Sequence, residues 1–345
     1  MRLLFSGGGT LGPVTPLVAI INEIRKNHKN DEIFWVSTKN GIENNYLNTR
    51  GIKTHQISSA KLRRYVSIYN ILDIFNFTKA LFESYRIIKK INPDIIISAG
   101  AYVSVPLVIM GRLMNKKILI HQQDVRIGLA NKIMKFFADK ITVTFPEQLQ
   151  YFGENAVLTG NPSRFTGVDI LNLSKEKIKE KYCFNSKPIL LILGGSSGAL
   201  TLNDKIYQDL DKLIQVFQVI HSTGENKNYI VKKQDYYQYS FLDKELLEFM
   251  FLADIIVSRA GMATLSELSF LSKASIIVPL PGHQEENAKY FAQHEAVDNS
   301  ELNNLTENIF SLHKNQNKKS LLEKNINNIM PHDSIKRIIF EIYGS

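Results

Sequence analysis

Short uninterrupted apolar runs, each closed by glycine or a polar turn and followed by an amphipathic stretch, recur along this whole chain. They stand at Leu3–Phe5, Ile33–Val36, Ile95–Ser98, Ile118–His121, Ile141–Thr144, Ile189–Leu193, Phe217–Ile220, Ile255–Ser258 and Ile276–Pro279. A strand with one wet face alternates apolar and polar residues. A strand covered on both faces does not, and unbroken runs rich in isoleucine and valine are its signature. Helical stretches such as Leu17–Ile24, Leu173–Lys181 and Ser334–Tyr343 separate the runs, which predicts parallel α/β sheets with helices on both faces.

The strand–glycine–helix opening occurs twice, at Phe5-Ser6-Gly7-Gly8-Gly9 and again at Leu193-Gly194-Gly195-Ser196. With 345 residues the chain has room for two domains of about 150 residues each. The turn-rich stretch Leu158-Thr159-Gly160-Asn161-Pro162 is the expected junction. The predicted division is 1–158 plus 332–345 against 159–331.

Ile95–Gly111 carries no charge, but about 20 apolar residues are needed to span a bilayer, and Gly100 and Pro106 interrupt it. It is read as strand, glycine turn and helix start. The single cysteine, Cys183, allows no internal disulfide and is expected to be a buried, inert thiol in a reducing compartment. A net charge of +9 favours anionic partners.

Three glycine loops at strand ends suit phosphate: Gly7–Gly12, Gly100-Ala101-Tyr102 and Gly194–Gly198. Glycine admits close backbone approach, and a following helix offers free N–H groups to an anion. The end of the second strand reads Val36-Ser37-Thr38, without the acid of a dinucleotide site, and no loop carries a Walker lysine. In the second half, Ser258-Arg259-Ala260-Gly261 leads into a helix bearing Glu267, a carboxylate suited to a ribose diol. Pro281-Gly282-His283-Gln284-Glu285 opens another helix with polar groups suited to sugar hydroxyls. Asp209-Leu210-Asp211 falls inside a predicted helix and is read as a solvated face rather than a metal site.

Basic and aromatic residues interleave between Lys61 and Lys90. Lys61, Arg63, Arg64, Lys79, Arg86, Lys89 and Lys90 accompany Tyr65, Ile68, Phe75, Phe77, Phe82 and Tyr85. That pattern suits an anionic membrane surface. No nucleic-acid motif accompanies the charge, and nucleic acid is not an expected partner.

Taken in order, Gly7-Gly8-Gly9-Thr10, Gly100-Ala101-Tyr102-Val103-Ser104, His121-Gln122-Gln123-Asp124, Gly160-Asn161-Pro162-Ser163-Arg164, Gly194-Gly195-Ser196, Ser258-Arg259-Ala260-Gly261 with Glu267, and His283-Gln284 with Asn287 resemble one family over nearly the whole chain. It is the MurG family of transferases, which add N-acetylglucosamine to lipid I in peptidoglycan synthesis. The resemblance implies a GT-B fold: two Rossmann-like domains facing across a cleft. It implies an inverting UDP-GlcNAc-dependent transferase with no cofactor and no metal, attached peripherally to the cytoplasmic face of the membrane through anionic inner-leaflet lipid.

Carried over by position, the donor UDP-GlcNAc falls to Thr10, Gly12, Asp124, Arg164, Gly195, Ser196, Leu242, Glu267, Gln284 and Glu285. The acceptor diphosphate falls to Gly8, Gly9, Thr10, Gly100 and Tyr102. Catalysis falls to Asp124, His121 and Tyr102, with the base either Asp124 or His121. The alternative part for His121 is a buried residue that orders the donor loop.

The sequence departs from the family in three places. Leu11-Gly12-Pro13 stands where a histidine, a base candidate, usually follows the first glycines. Asp124 stands in place of an asparagine, and Ala101 in place of a glycine. These departures bear on the base more than on the fold. Other readings of the same fold are a transferase with a different lipid-linked acceptor, a UDP-sugar epimerase, and a non-catalytic UDP-sugar-binding scaffold of the wall-synthesis machinery.

Overall fold

The apolar runs fold into parallel strands of two separate sheets in the computed structural model. The structure describes residues 1–58, 69–194, 200–224 and 230–344, with the backbone alone for 69–74. The first sheet has seven strands: β1 (Arg2–Ser6), β2 (Glu32–Thr38), β3 (Lys53–Ile57), β4 (Ile95–Ser98), β5 (Lys117–Gln122), β6 (Lys140–Val143) and β7 (Ala156–Leu158). Their order is β3-β2-β1-β4-β5-β6-β7. The second sheet has six: β8 (Ile189–Leu193), β9 (Gln218–Ser222), β10 (Tyr236–Tyr239), β11 (Ile255–Ser258), β12 (Ser275–Ile277) and β13 (Asp298–Asn299). Their order, β10-β9-β8-β11-β12-β13, repeats that of the first.

The chain reverses its direction of travel across each sheet between two central strands: β1 and β4 in the first, β8 and β11 in the second. The loops leaving those strands diverge, and the crevice they leave is where α/β sheets bind ligands. Register sets the loops side by side. Ser6 pairs with Ser98 at the end of β1 and β4, and Leu193 with Ser258 at the end of β8 and β11.

The sheets belong to two units, Met1–Arg164 with Pro331–Ser345 and Phe165–Met330. Residues 159–164 stay with the first unit. The Thr159 backbone N–H donates to the Val143 carbonyl (2.9 Å), and Asn161 Oδ1 lies 3.0 Å from a ring nitrogen of His121. The chain leaves and re-enters this unit at adjoining points. A Cβ on Gly160, whose φ is +77°, would sit 2.4 Å from the Pro331 carbonyl oxygen, so only glycine fits there.

One face of the first sheet packs on the helix Thr15–Asn27, with Pro16 in its first turn and Arg25 and Lys26 in its last. Leu17, Ile20, Ile21 and Ile24 bury there with Leu3, Phe5 and Trp35. The terminal helix Ser334–Tyr343 completes this layer through Ile338 and Ile342. Each such aliphatic side chain contributes about 1.5–3 kcal/mol. The opposite face packs on the helices Tyr69–Ile91 and Ser104–Leu113.

Two expectations are corrected. Cys183 is exposed, not buried: it follows the helix Lys175–Lys181 in the left-handed region at φ +56°. Asp209 does lie in a helix, Leu200–Val216, but not on its solvated face. It is 9% exposed and accepts from Thr306 Oγ1 (2.7 Å) and Lys205 (2.8 Å). The hydrogen bond from Lys205 leads the effects that lower its pKa to about 2. Asp211 does face solvent, beside Lys233.

Candidate functional site

The crevice of the first unit is built around a buried carboxylate. Glu43 has no exposed surface, and its Oε1 accepts from the Thr38 backbone N–H (3.0 Å) and hydroxyl (2.6 Å). Its Oε2 accepts from the Gly9 backbone N–H (3.2 Å). A Cβ on Gly8 would lie 2.3 Å from Glu43 Oε1, and one on Gly9 (φ +82°) would lie 3.1 Å from the Tyr102 ring. These glycines therefore make room for Glu43 and Tyr102. The Gly9 N–H, on the loop expected to face the acceptor diphosphate, is engaged by Glu43. Thr10 and Gly12 are exposed at the loop tip.

The neighbouring loop is tied to the first. Ser104 Oγ lies 3.0 Å from Ser6 Oγ and donates to the Gly100 carbonyl (2.8 Å). Gly100 has φ +100° and lies over the amide of Asn131. Asn131 Nδ2 donates to the His121 carbonyl (3.1 Å) and to Gln122 Oε1 (2.7 Å), which fixes it against the end of β5.

His121 has no exposed surface. Its Nε2–H points to Asn161 Oδ1 (3.0 Å), an acceptor only, and its Nδ1 to the Thr142 hydroxyl (3.0 Å). Burial lowers its pKa to about 4. Both nitrogens are occupied and neither meets solvent, an arrangement that favours the ordering part of His121 over that of a base. Asp124 follows at the rim, half-buried, its carbonyl clamped by Gln122 Nε2 and Gln148 Nε2, each at 2.7 Å. Arg164, also half-buried, closes this unit.

The second unit carries the opposite charge at its crevice. Arg259, at the end of β11, is 7% exposed and has no carboxylate partner among the described residues. Its Nη1 donates to the carbonyls of Val278 (2.9 Å) and Pro279 (3.4 Å), and its Nη2 to Thr201 Oγ1 (3.1 Å). Its Nε has no partner. Burial pulls the guanidinium pKa down from its ordinary value. A buried cation bonded only to neutral groups is costly, and an anion at this edge relieves the cost. Sequence reading passed over both Glu43 and Arg259 as functional residues. Arg259 carried a signal, a lone charge closing an apolar strand. Glu43, in a polar stretch, carried none.

Glu267 is 2% exposed within the helix Met262–Phe270, and Leu242 is buried at 4%. Gln284 and Glu285, expected to hold the sugar, spend oxygens on their own loop. Gln284 Oε1 accepts from the Leu280 N–H (3.1 Å) and Glu285 Oε2 from the Gly282 N–H (2.9 Å), a helix-start cap. The Gln284 amide nitrogen appears in no hydrogen bond here and stays open to a ligand. Gly195 and Ser196 lie outside the described residues.

The described part of the helix Tyr69–Ile91 has two faces. Ala80, Ser84, Ile88 and Ile91 are buried, whereas Phe75 (78%) and Phe82 (54%) are exposed beside Lys79, Arg86, Lys89 and Lys90. Lys61–Ile68 lie outside the described residues. Among the described residues no helix is long and apolar enough to cross a membrane.

Two Rossmann-like units, each with glycine and polar residues at its crevice, form the architecture of GT-B glycosyltransferases. Sequence comparison narrows the class. Residues 3–143 match the glycosyltransferase family 28 N-terminal domain and residues 189–338 its C-terminal domain. The chain belongs to glycosyltransferase family 28.

A relative from Clostridium botulinum (strain Alaska E43) is 37% identical over 100% of this chain and 98% of its own length. One from Clostridium tetani is 38% identical over 84% of this chain and 82% of its own. Both are named UDP-N-acetylglucosamine–N-acetylmuramyl-(pentapeptide) pyrophosphoryl-undecaprenol N-acetylglucosamine transferase. The crystal structure of Acinetobacter baumannii MurG superposes with a TM-score of 0.76 at 22% identity, covering 100% of this chain and 99% of that one.

Proposed function

We propose that this chain transfers N-acetylglucosamine from UDP-GlcNAc to the 4-hydroxyl of a polyprenyl-diphosphate-linked muramyl pentapeptide, lipid I, with inversion at the anomeric carbon. The product is lipid II for peptidoglycan. The observation that carries the reading is full-length similarity to relatives named for this reaction.

In this reading the second unit holds the donor. Glu267 takes the ribose diol, Leu242 lies against the base, and the Gln284 amide meets the sugar. The leaving diphosphate is stabilised by the strand end bearing Arg259, with Ser196, Gly195 and Arg164. Charge developing on UDP as the glycosidic bond breaks meets fixed positive charge, the most effective kind of transition-state stabilisation. Asp124 takes the proton of the attacking hydroxyl. It is the half-exposed carboxylate at the end of β5, where His121 is sealed. Thr10, Gly100 and Tyr102 line the acceptor side.

Attachment to the cytoplasmic face of the membrane is peripheral. Phe75 and Phe82 enter the interface, and Arg86, Lys89 and Lys90 meet anionic lipid.

Reconstitution with UDP-GlcNAc and a lipid I analogue tests the reading. Wild type releases UDP only with acceptor present. Asp124→Ala lowers kcat by about 100-fold or more, the range of a lost general base. UDP release without acceptor identifies an epimerase or hydrolase instead. Donor binding without turnover identifies a scaffold.

A further inference from the structure

A cavity of about 350 Å³ opens in the first unit beside the glycine crevice. It is lined by Thr38 and Lys39 at the end of β2, Ser58 just beyond β3, Asn76 and Lys79 from the helix Tyr69–Ile91, and Tyr102. This volume is at the small end for ligand pockets, which are usually mostly apolar. Here every one of those side chains is polar, so the lining does not suit a lipid tail.

Two of the lining groups are cations. Lys39 Nζ is fixed by Ser58 Oγ (3.1 Å) and by Glu83 (3.3 Å), which offsets one charge. Lys79 has no ion-pair partner among the described residues. Among the described residues the cavity therefore holds one cation without an ion-pair partner, with hydroxyl and amide groups around it. The adjoining glycine loop is a poor anion holder by contrast. Its Gly9 N–H is taken by Glu43, whose carboxylate lies just beneath.

We infer that this cavity, not the first glycine loop, binds an anionic oxygen group of the acceptor, with Lys39 and Lys79 as its charged partners. The inference rests on the proposed transferase reading. An acceptor of that class offers two such groups: its diphosphate, and the terminal carboxylate of its pentapeptide. Tyr102 belongs both to the cavity and to the wall of Gly9, so a ligand there lies next to the crevice.

The test compares wild type, Lys79→Ala, Lys79→Arg and the Lys39→Ala/Lys79→Ala double variant. Kinetics use two polyprenyl-diphosphate acceptors, one with the pentapeptide and one without. Calorimetry uses two soluble probes, pyrophosphate and N-acetylmuramyl pentapeptide, and does not depend on turnover.

Lys79→Ala is expected to raise acceptor KM about tenfold, the scale of one charge-assisted hydrogen bond, with donor KM and thermal stability unchanged. Lys79→Arg restores most of it. A rise confined to the pentapeptide acceptor assigns the cavity to the carboxylate, and an equal rise with both assigns it to the diphosphate. The double variant loses affinity for the matching probe. If the double variant binds both probes as wild type does, the inference is overturned, whether or not the protein turns over. A wild type that binds a probe through these lysines but transfers no sugar keeps the site and sinks the transferase reading.

Discussion

The two units share one strand order and bury opposite charges beneath equivalent crevices. In the first, Glu43 draws the Gly9 and Thr38 N–H groups inward. In the second, Arg259 ties Thr201 to the loop after β12 and meets no acid among the described residues. The same fold thus yields an inward-facing loop in one half and an anion-seeking edge in the other. Glycine at a strand end does not by itself mark a phosphate site. What lies under the glycine decides.

The comparison can be broken by experiment. The largest expected effect is at Glu43. Glu43→Ala leaves two backbone N–H groups and a hydroxyl unpaired in the interior, and should cost about 3 kcal/mol or more. Scanning calorimetry on the whole chain checks it, and an unchanged unfolding temperature would remove Glu43 from the account of the first loop.

Next is Arg259→Met, which keeps much of the side-chain volume and removes the charge. UDP affinity should fall about tenfold or more, the scale of a charge-assisted bond, while uridine affinity stays nearly constant. Equal losses for both ligands would make Arg259 a staple of the loop rather than a partner of the diphosphate.

A third effect is common to both units. His221 in the second repeats the arrangement of His121 in the first. Its Nε2 lies 3.1 Å from Asn203 Oδ1 and its Nδ1 3.0 Å from the Tyr236 hydroxyl. Burial lowers the pKa of His121 to about 4 and of His221 to about 3. Both rings are neutral when folded, and the unfolded chain, with histidine near 6.5, binds protons first on acidification. Their stabilising contribution is complete above about pH 6.5. It is lost as pH falls from there toward 4 for His121 and toward 3 for His221, at up to about 1.4 kcal/mol per pH unit for each. His121→Gln should flatten the upper part of that slope in a series of melts. A slope unchanged by that variant would count against a neutral His121.

The smallest effect concerns the outer face of the helix Tyr69–Ile91. Phe82→Ser should weaken binding to vesicles containing anionic lipid a few-fold and leave UDP affinity untouched, as sedimentation with and without lipid would report. Binding that ignores the substitution would move the membrane contact elsewhere.

The strands that were legible in the sequence share a position. Every inner strand of both sheets announces itself as an apolar run, from Leu3–Phe5 to the run at Ile276. The four that went unread, β3, β7, β10 and β13, are the two edges of each sheet. An edge strand is covered by a neighbour on one side only and tolerates polar residues, as Lys53-Thr54-His55-Gln56 shows. Site residues followed a similar rule. Those in ordered motifs, such as Glu267 and Asp124, could be placed by resemblance. Glu43 could not, because only folding brings it under Gly9 from the start of a helix 34 residues away.

The terminal helix has a consequence for how the chain is made. Ile338 and Ile342 belong to the core that Leu3 and Leu17 begin, so the first unit holds residues from both sides of the second. During synthesis the opening sheet emerges early with the helix Thr15–Asn27 on this face, but the part that Ile338 and Ile342 cover stays open until Ser334–Tyr343 leaves the ribosome. The second unit, continuous from Phe165 to Met330, can close before that. The half that starts first therefore finishes last, and a ribosome stalled near residue 330 releases one finished unit joined to one lacking its last layer.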